Sequence, residues 1–95
     1  MSTIVDRTAD AAYELAMIEN GTATPDIMFD GWWDVLVPGG RRIRLHAVDN
    51  EWEAGVEIFV FNRHMVGIGH ATLTAMTLDP KFVAATASGL NRQIR

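Results

Sequence analysis

The hydrophobic period of the chain changes at Trp32, and that change constrains the fold more than any other feature of the sequence. Before it, Ala11, Leu15 and Ile18 recur at helical spacing, with Ala12 and Ala16 beside them. After it, apolar and polar residues alternate with a period of two through four segments. A chain patterned this way packs helix against a half-buried sheet. The sequence predicts an α+β fold with an N-terminal helix over about 3–20 and a C-terminal helix over about 80–90. Between them it predicts a four-stranded antiparallel meander over about 32–37, 42–48, 52–61 and 64–75. Short links between the strands favour hairpins. Asn20-Gly21 stops the first helix, with Gly21 expected in the left-handed cap. Gly21, Pro25 and Asp30-Gly31 mark 21–31 as a loop. Asp79 caps the second helix with Pro80 in its first turn, and Phe82, Val83, Ala85, Thr86 and Leu90 are expected on its buried side.

Strand register is constrained by parity, because a slip of one residue moves every side chain to the other face. A turn at Asp49-Asn50 places Ile43 opposite Val56, Leu45 opposite Ala54 and Ala47 opposite Trp52, with Arg42 meeting Glu57 and His46 meeting Glu53. A three-residue loop at Gly39-Gly40-Arg41 sets Val37 on Ile43 and Val35 on Leu45; a two-residue loop would set Val35 on Arg44. Symmetric pairing about Asn62-Arg63 puts Ile58 opposite Gly67 and Val56 opposite Gly69. One face then carries Trp33, Val35, Val37, Ile43, Leu45, Ala47, Trp52, Val56, Ile58, Val60, Met65 and Leu73, the expected core. Gly67-Ile68-Gly69 has the spacing of a phosphate loop, but Thr72, Thr74 and Thr77 after it are poor helix formers, which favours a strand.

The opposite face gathers the polar chemistry. In this register Asp34, His46, Glu53 and Thr72 form one cross-strand row, with His70 a diagonal step away. A histidine between carboxylates suits acid–base work, and the set Asp34, His46, Glu53 and His70 has the O/N donors of a metal or ligand site. The competing reading is a solvated polar ladder. Phe59, Phe61, Val66 and Ile68 fall on the same face toward the 61–64 hairpin and make a candidate partner-binding patch. Asp6, Asp10 and Glu14 lie at i, i+4 and i+8 on the first helix, an acidic stripe able to dock a basic partner surface.

Composition narrows the function classes. Residues 1–40 hold seven acids and one base, and residues 41–95 hold five acids and seven bases, within a net charge of −4. Direct nucleic-acid binding usually needs a clear basic excess, and the asymmetry here points instead to an acidic face. The chain has no cysteine, which removes disulfides, thiolate nucleophiles and Cys-based zinc sites. Met1 to Asp10 has no apolar signal-peptide core, and no apolar run reaches the ~18 residues of a membrane span. A cytoplasmic location without membrane contact is therefore expected. Neither serine sits in a nucleophile elbow, and no Walker, EF-hand or H-E-x-x-H motif occurs.

In size, acidity and lack of catalytic motifs the chain resembles small phage-encoded inhibitors of host defence, such as anti-CRISPR proteins. That resemblance is one of composition and covers no motif. It implies a non-enzymatic protein-binding module, an inhibitor or adaptor whose partner is a protein, including a nucleic-acid-binding host protein, with no cofactor. Two alternatives carry other expectations: a small enzyme or ligand-binding protein using the Asp/His/Glu row, and a structural subunit or homodimer. Residues 1–95 are expected to form one domain with a radius of gyration of about 12 Å.

Overall fold

A computed structural model of the chain describes residues 3–49, 54–74 and 79–94. It shows two helices and a five-stranded antiparallel sheet, in the order α1 (Ile4–Glu19), β1 (Thr22–Pro25), β2 (Trp32–Leu36), β3 (Arg42–Asp49), β4 (Ala54–Phe61), β5 (Gly67–Thr74) and α2 (Pro80–Gln93). The strands form a simple meander, β1-β2-β3-β4-β5. The radius of gyration is 12.2 Å.

Both helix starts follow from local chemistry. Thr3 caps α1: its hydroxyl accepts from the Asp6 N–H, and the Asp6 carboxylate accepts from the Thr3 N–H in return. Asp79 accepts from the Lys81 N–H at the start of α2, with Pro80 in the first turn. At the end of α1 the left-handed residue is Asn20 (φ 54°), not Gly21. Gly21 is needed for a different reason: a Cβ there would run into the Leu36 carbonyl of the neighbouring strand.

The fifth strand is the main departure from the sequence reading. Thr22–Pro25 pairs along β2, with Ala23 opposite Val35 and Pro25 opposite Trp33. Four residues ending in proline carry little strand signal, and proline is accommodated because β1 is an edge.

Each hairpin is displaced from the expected register by an even number of residues. Val35 pairs with Ile43 rather than Leu45. Ile43 pairs with Val60 rather than Val56, and His46 with Glu57. Ile58 pairs with Ala71 and Val56 with Leu73, not with Gly67 and Gly69. Even shifts keep every side chain on its face, so apolar alternation cannot tell these registers apart. Overlap decides: the observed β3–β4 pairing uses all eight residues of each strand. A turn at Asp49-Asn50 would leave Ile58–Phe61 without partners on β3. Trp52 and Glu53, and the strand ends expected at 52–53 and 75, lie outside the described residues.

Parity does fail at one place. Phe61 pairs with Gly67 while Val60 pairs with Gly69, so Ile68 is the extra residue of a bulge. Ile68 therefore packs against the core instead of joining Phe59 and Phe61. The preceding turn is longer than a symmetric two-residue one. The Asn62 side chain accepts from the N–H groups of His64 and Val66, and Met65 adopts φ 62° within the turn. Met65, expected in the core, is consequently exposed.

Both helices cover one face. The core joins Ala11, Ala12, Leu15 and Ala16 of α1 and Val83, Ala84 and Ala87 of α2 to Val35, Ile43, Leu45, Val56, Ile58 and Val60 of the sheet. The buried side of α2 is thus rotated from the expected one: Val83 is buried, but Phe82 and Ala85 are exposed. Ser88 donates to the Glu19 carboxylate, tying α2 to the end of α1.

Two glycines test this packing. A Cβ on Gly55 would meet the backbone carbonyl of Leu73, which cannot move without breaking the sheet, whereas one on Gly67 would touch only the Phe61 ring at an ordinary 3.8 Å. Gly55→Ala should lower stability by roughly 1–3 kcal/mol in urea denaturation, the cost of overpacking a filled site. Gly67→Ala should change it by less than about 0.5 kcal/mol, as exposed substitutions do. Equal losses in the two variants would contradict the register.

Candidate functional site

On the face of the sheet away from the helices, three cross-strand rows carry the charged and aromatic side chains, and a fourth, Val48, Gly55 and Thr74, carries none. Trp32, His46, Glu57 and Thr72 form the first. Thr24, Asp34, Arg44, Phe59 and His70 form the second. Thr22, Leu36, Arg42, Phe61 and Gly67 form the third. Rings and charged groups therefore interleave across β2 to β5, and β1 adds Thr22 and Thr24 at the edge.

Each carboxylate in this array holds two partners. Asp34 receives Arg44 through two bonds, Nε to Oδ1 at 2.8 Å and Nη2 to Oδ2 at 3.3 Å, and Arg42 at 3.5 Å. Glu57 lies between two imidazoles, with His46 Nδ1 at 3.1 Å from one oxygen and His70 Nε2 at 3.5 Å from the other. The Arg44, His46 and His70 side chains also cover the rings. The Arg44 guanidinium sits over Trp32 at 5.6 Å and over Phe61 at 5.8 Å. His46 stacks on Trp32 with centroids 3.7 Å apart, and His70 leans on Phe59 at 4.8 Å. Phe59 and Phe61 are half-buried as a result. The hydrogen bond to Asp34 holds the Arg44 guanidinium above its ordinary pKa, partial burial opposes this, and the charges of Asp34 and Asp26 add to it.

Asp34, His46 and His70 share this face, as the sequence reading required, but Asp34 lies in the row of Arg44 and not of His46. Glu57 stands opposite His46, where Glu53 was expected, and Glu53 lies outside the described residues. The sequence signal for Glu57 was its parity with Phe59 and Phe61. Among the described residues no group of three His, Cys, Asp or Glu side chains is arranged to hold a metal ion. Of the aromatic patch, Phe59 and Phe61 are together, Val66 is exposed at the hairpin tip, and Ile68 has left the face. On α1, Asp6 is engaged in the helix cap, and Asp10 and Glu14 border a hollow that they share with Tyr13 and with Lys81 of α2.

Among the described residues a run of exposed apolar side chains lies elsewhere, in the loop between β1 and β2. Ile27, Met28 and Phe29 are 96%, 75% and 65% exposed. The loop is held in shape: the Asp26 carboxylate accepts from the N–H groups of Met28 and Phe29, and the Asp26 N–H donates to the Trp32 carbonyl. Phe29 and Asp26 line a shallow hollow with Trp32 and Arg44, which joins the loop to the open sheet face. Three consecutive large apolar residues inside a turn-marked segment were the available signal.

No protein-family model, curated protein or solved structure matches this chain. No helix among the described residues is long and apolar enough to cross a membrane.

The Asp34–Arg44 pair provides a direct check on the array. A double-mutant cycle with Asp34→Ala and Arg44→Ala should give a coupling of about 1 kcal/mol, between an exposed pair and a buried charged hydrogen bond. A guanidinium pKa raised on folding contributes stability that is complete below its ordinary value and lost only as pH rises above it. The coupling should therefore be the same at about pH 6 and about pH 8. Zero coupling would mean that the pair does not stabilise the array.

Proposed function

We propose that the protein is a binding module of the inhibitor or adaptor kind, and that it docks a protein partner through the Asp26–Asp30 loop and the adjoining Trp32–Arg44 corner of the open sheet face. One observation carries this reading: three large apolar side chains stand in water on a loop shaped by three hydrogen bonds of Asp26. Burying each is worth about 1.5–3 kcal/mol relative to leaving it wet. Nothing in the core requires them to be apolar, because they contribute nothing to it. The hydrogen bonds from Asp26 fix the loop before binding, which reduces the ordering cost of association. Asp26 and Asp30 flank the apolar tip, so the complementary surface is an apolar pocket with a basic rim.

The open sheet face is a weaker candidate by itself, because its aromatic rings are covered by Arg44, His46 and His70 and its carboxylates already hold partners. It serves better as the firm base beside the loop.

The test compares variants in capture from extracts of the native host. Ile27→Asp with Phe29→Asp should leave the melting temperature unchanged and abolish retention of the partner seen with the wild-type chain. Asp10→Lys with Glu14→Lys should retain it. Undiminished capture by the loop variant would refute the reading, and loss with the α1 variant alone would move the docking surface to the acidic stripe.

A further inference from the structure

The two edges of the sheet differ. β1 is four residues long and ends in Pro25. β5 is eight residues long, contains no proline, and carries no Asp, Glu, Lys or Arg. Among the described residues it pairs only with β4, so the donors and acceptors along its outer side have no backbone partner. Long edges are usually blunted by proline, lysine or a cover. Among the described residues only the bulge near Ile68 interrupts the edge, and Gly69–Thr74 runs regularly beyond it.

A second feature lies on the same side of the molecule. α2 packs on β4 and β5 and beside α1. Its contacts with α1 fix its rotation: Ser88 bonds Glu19, and Lys81 shares a hollow with Asp10 and Glu14. With 100° per residue, Phe82, Thr86, Gly89 and Leu90 then occupy the flank turned away from α1, toward the β5 edge. Phe82 is 57% exposed, and the space around Gly89 is open. The Thr86 hydroxyl is satisfied by the Phe82 carbonyl, so this flank presents no unpaired hydroxyl donor.

We propose that two copies of the chain associate through β5, pairing antiparallel across a two-fold axis to make one ten-stranded sheet, with the Phe82–Thr86–Leu90 flanks of the two α2 helices packed together above the seam. The symmetry that joins the edges also joins the helices, because a two-fold axis perpendicular to the sheet keeps both helix layers on the same side. The spacing agrees. Strands lie ~4.8 Å apart, so a helix seated over β4 and β5 lies about 5 Å from the axis. The two α2 helices would then be about 10 Å apart, the upper end of the 8–10 Å range for packed helices. Each chain carries −4, so two copies repel, and a strand without Asp, Glu, Lys or Arg is where that repulsion opposes contact least. The association is independent of the docking loop, which adjoins the other end of the sheet order.

The experiment is mass determination by light scattering, combined with site-directed cross-linking. The wild-type chain should run at twice its 10.5 kDa mass, and Phe82→Asp should be folded and monomeric. The chain has no cysteine of its own, so a single Thr86→Cys substitution should form an intermolecular disulfide on mild oxidation, whereas Met17→Cys on α1 should not. Ile27→Asp with Phe29→Asp should remain dimeric, which separates this proposal from the docking reading. A monomeric wild-type chain would overturn it. So would a dimer that cross-links through position 17 and not 86, or one that dissociates in the loop variant.

Discussion

Burial of a single face of the sheet is the constraint on which the rest of the molecule depends. Val35, Ile43, Leu45, Val56, Ile58 and Val60 project toward the helices, and the helices answer with mostly small residues: Ala11, Ala12 and Ala16 around Leu15, and Ala84 and Ala87 around Val83. Small helix residues let the two layers come close, and the β-branched strand residues fill the space between them. Gly69 belongs to the same arrangement, since the Ile94 side chain at the end of α2 occupies the place its Cβ would take. Both helices are used on this face, so none remains for the other.

The uncovered face has to stabilise itself. It does so by laying polar side chains over aromatic ones, with Arg44 spanning Trp32 and Phe61 while bound to Asp34. An arginine placed this way hides apolar surface and keeps its charge satisfied. The Glu57 carboxylate plays the corresponding part for His46 and His70, whose rings lie on Trp32 and Phe59. The loop of Ile27, Met28 and Phe29 has no such cover. That contrast, between aromatics shielded by their neighbours and apolar residues left in water, is the main argument for function.

How far the sequence revealed this arrangement depended on what each signal measures. Period and local punctuation revealed both helices and four strands, because the spacing of Ala11, Leu15 and Ile18, the Asp79 cap and the alternation after Trp32 act locally. Parity assigned Trp33, Val35, Ile43, Leu45, Val56, Ile58 and Val60 to the core side, and Asp34, His46, Phe59, Phe61 and His70 to the other. Register was not legible, since an even shift leaves every face unchanged. The cost fell on the site: Glu57, not Glu53, faces His46, and Arg44 became the partner of Asp34. Ile68 was misplaced because a bulge is set by the Asn62 turn and not by alternation. β1 was missed because Thr22–Pro25 is a strand only through its pairing with β2. The apolar loop was visible as Ile27-Met28-Phe29, but its exposure followed only from the fold.

Hydroxyl-radical footprinting of the isolated protein measures this contrast most directly. Met28 and Phe29 should label rapidly, and Phe59 and Phe61 should label several-fold more slowly despite lying on a face with no helix over it; methionine is the more reactive side chain, so the decisive comparison is between the phenylalanines. That result would place the exposed apolar surface in the β1–β2 loop. Labelling of Phe59 and Phe61 as fast as that of Phe29 would mean that Arg44, His46 and His70 do not shield the sheet, and the account of this face would be wrong.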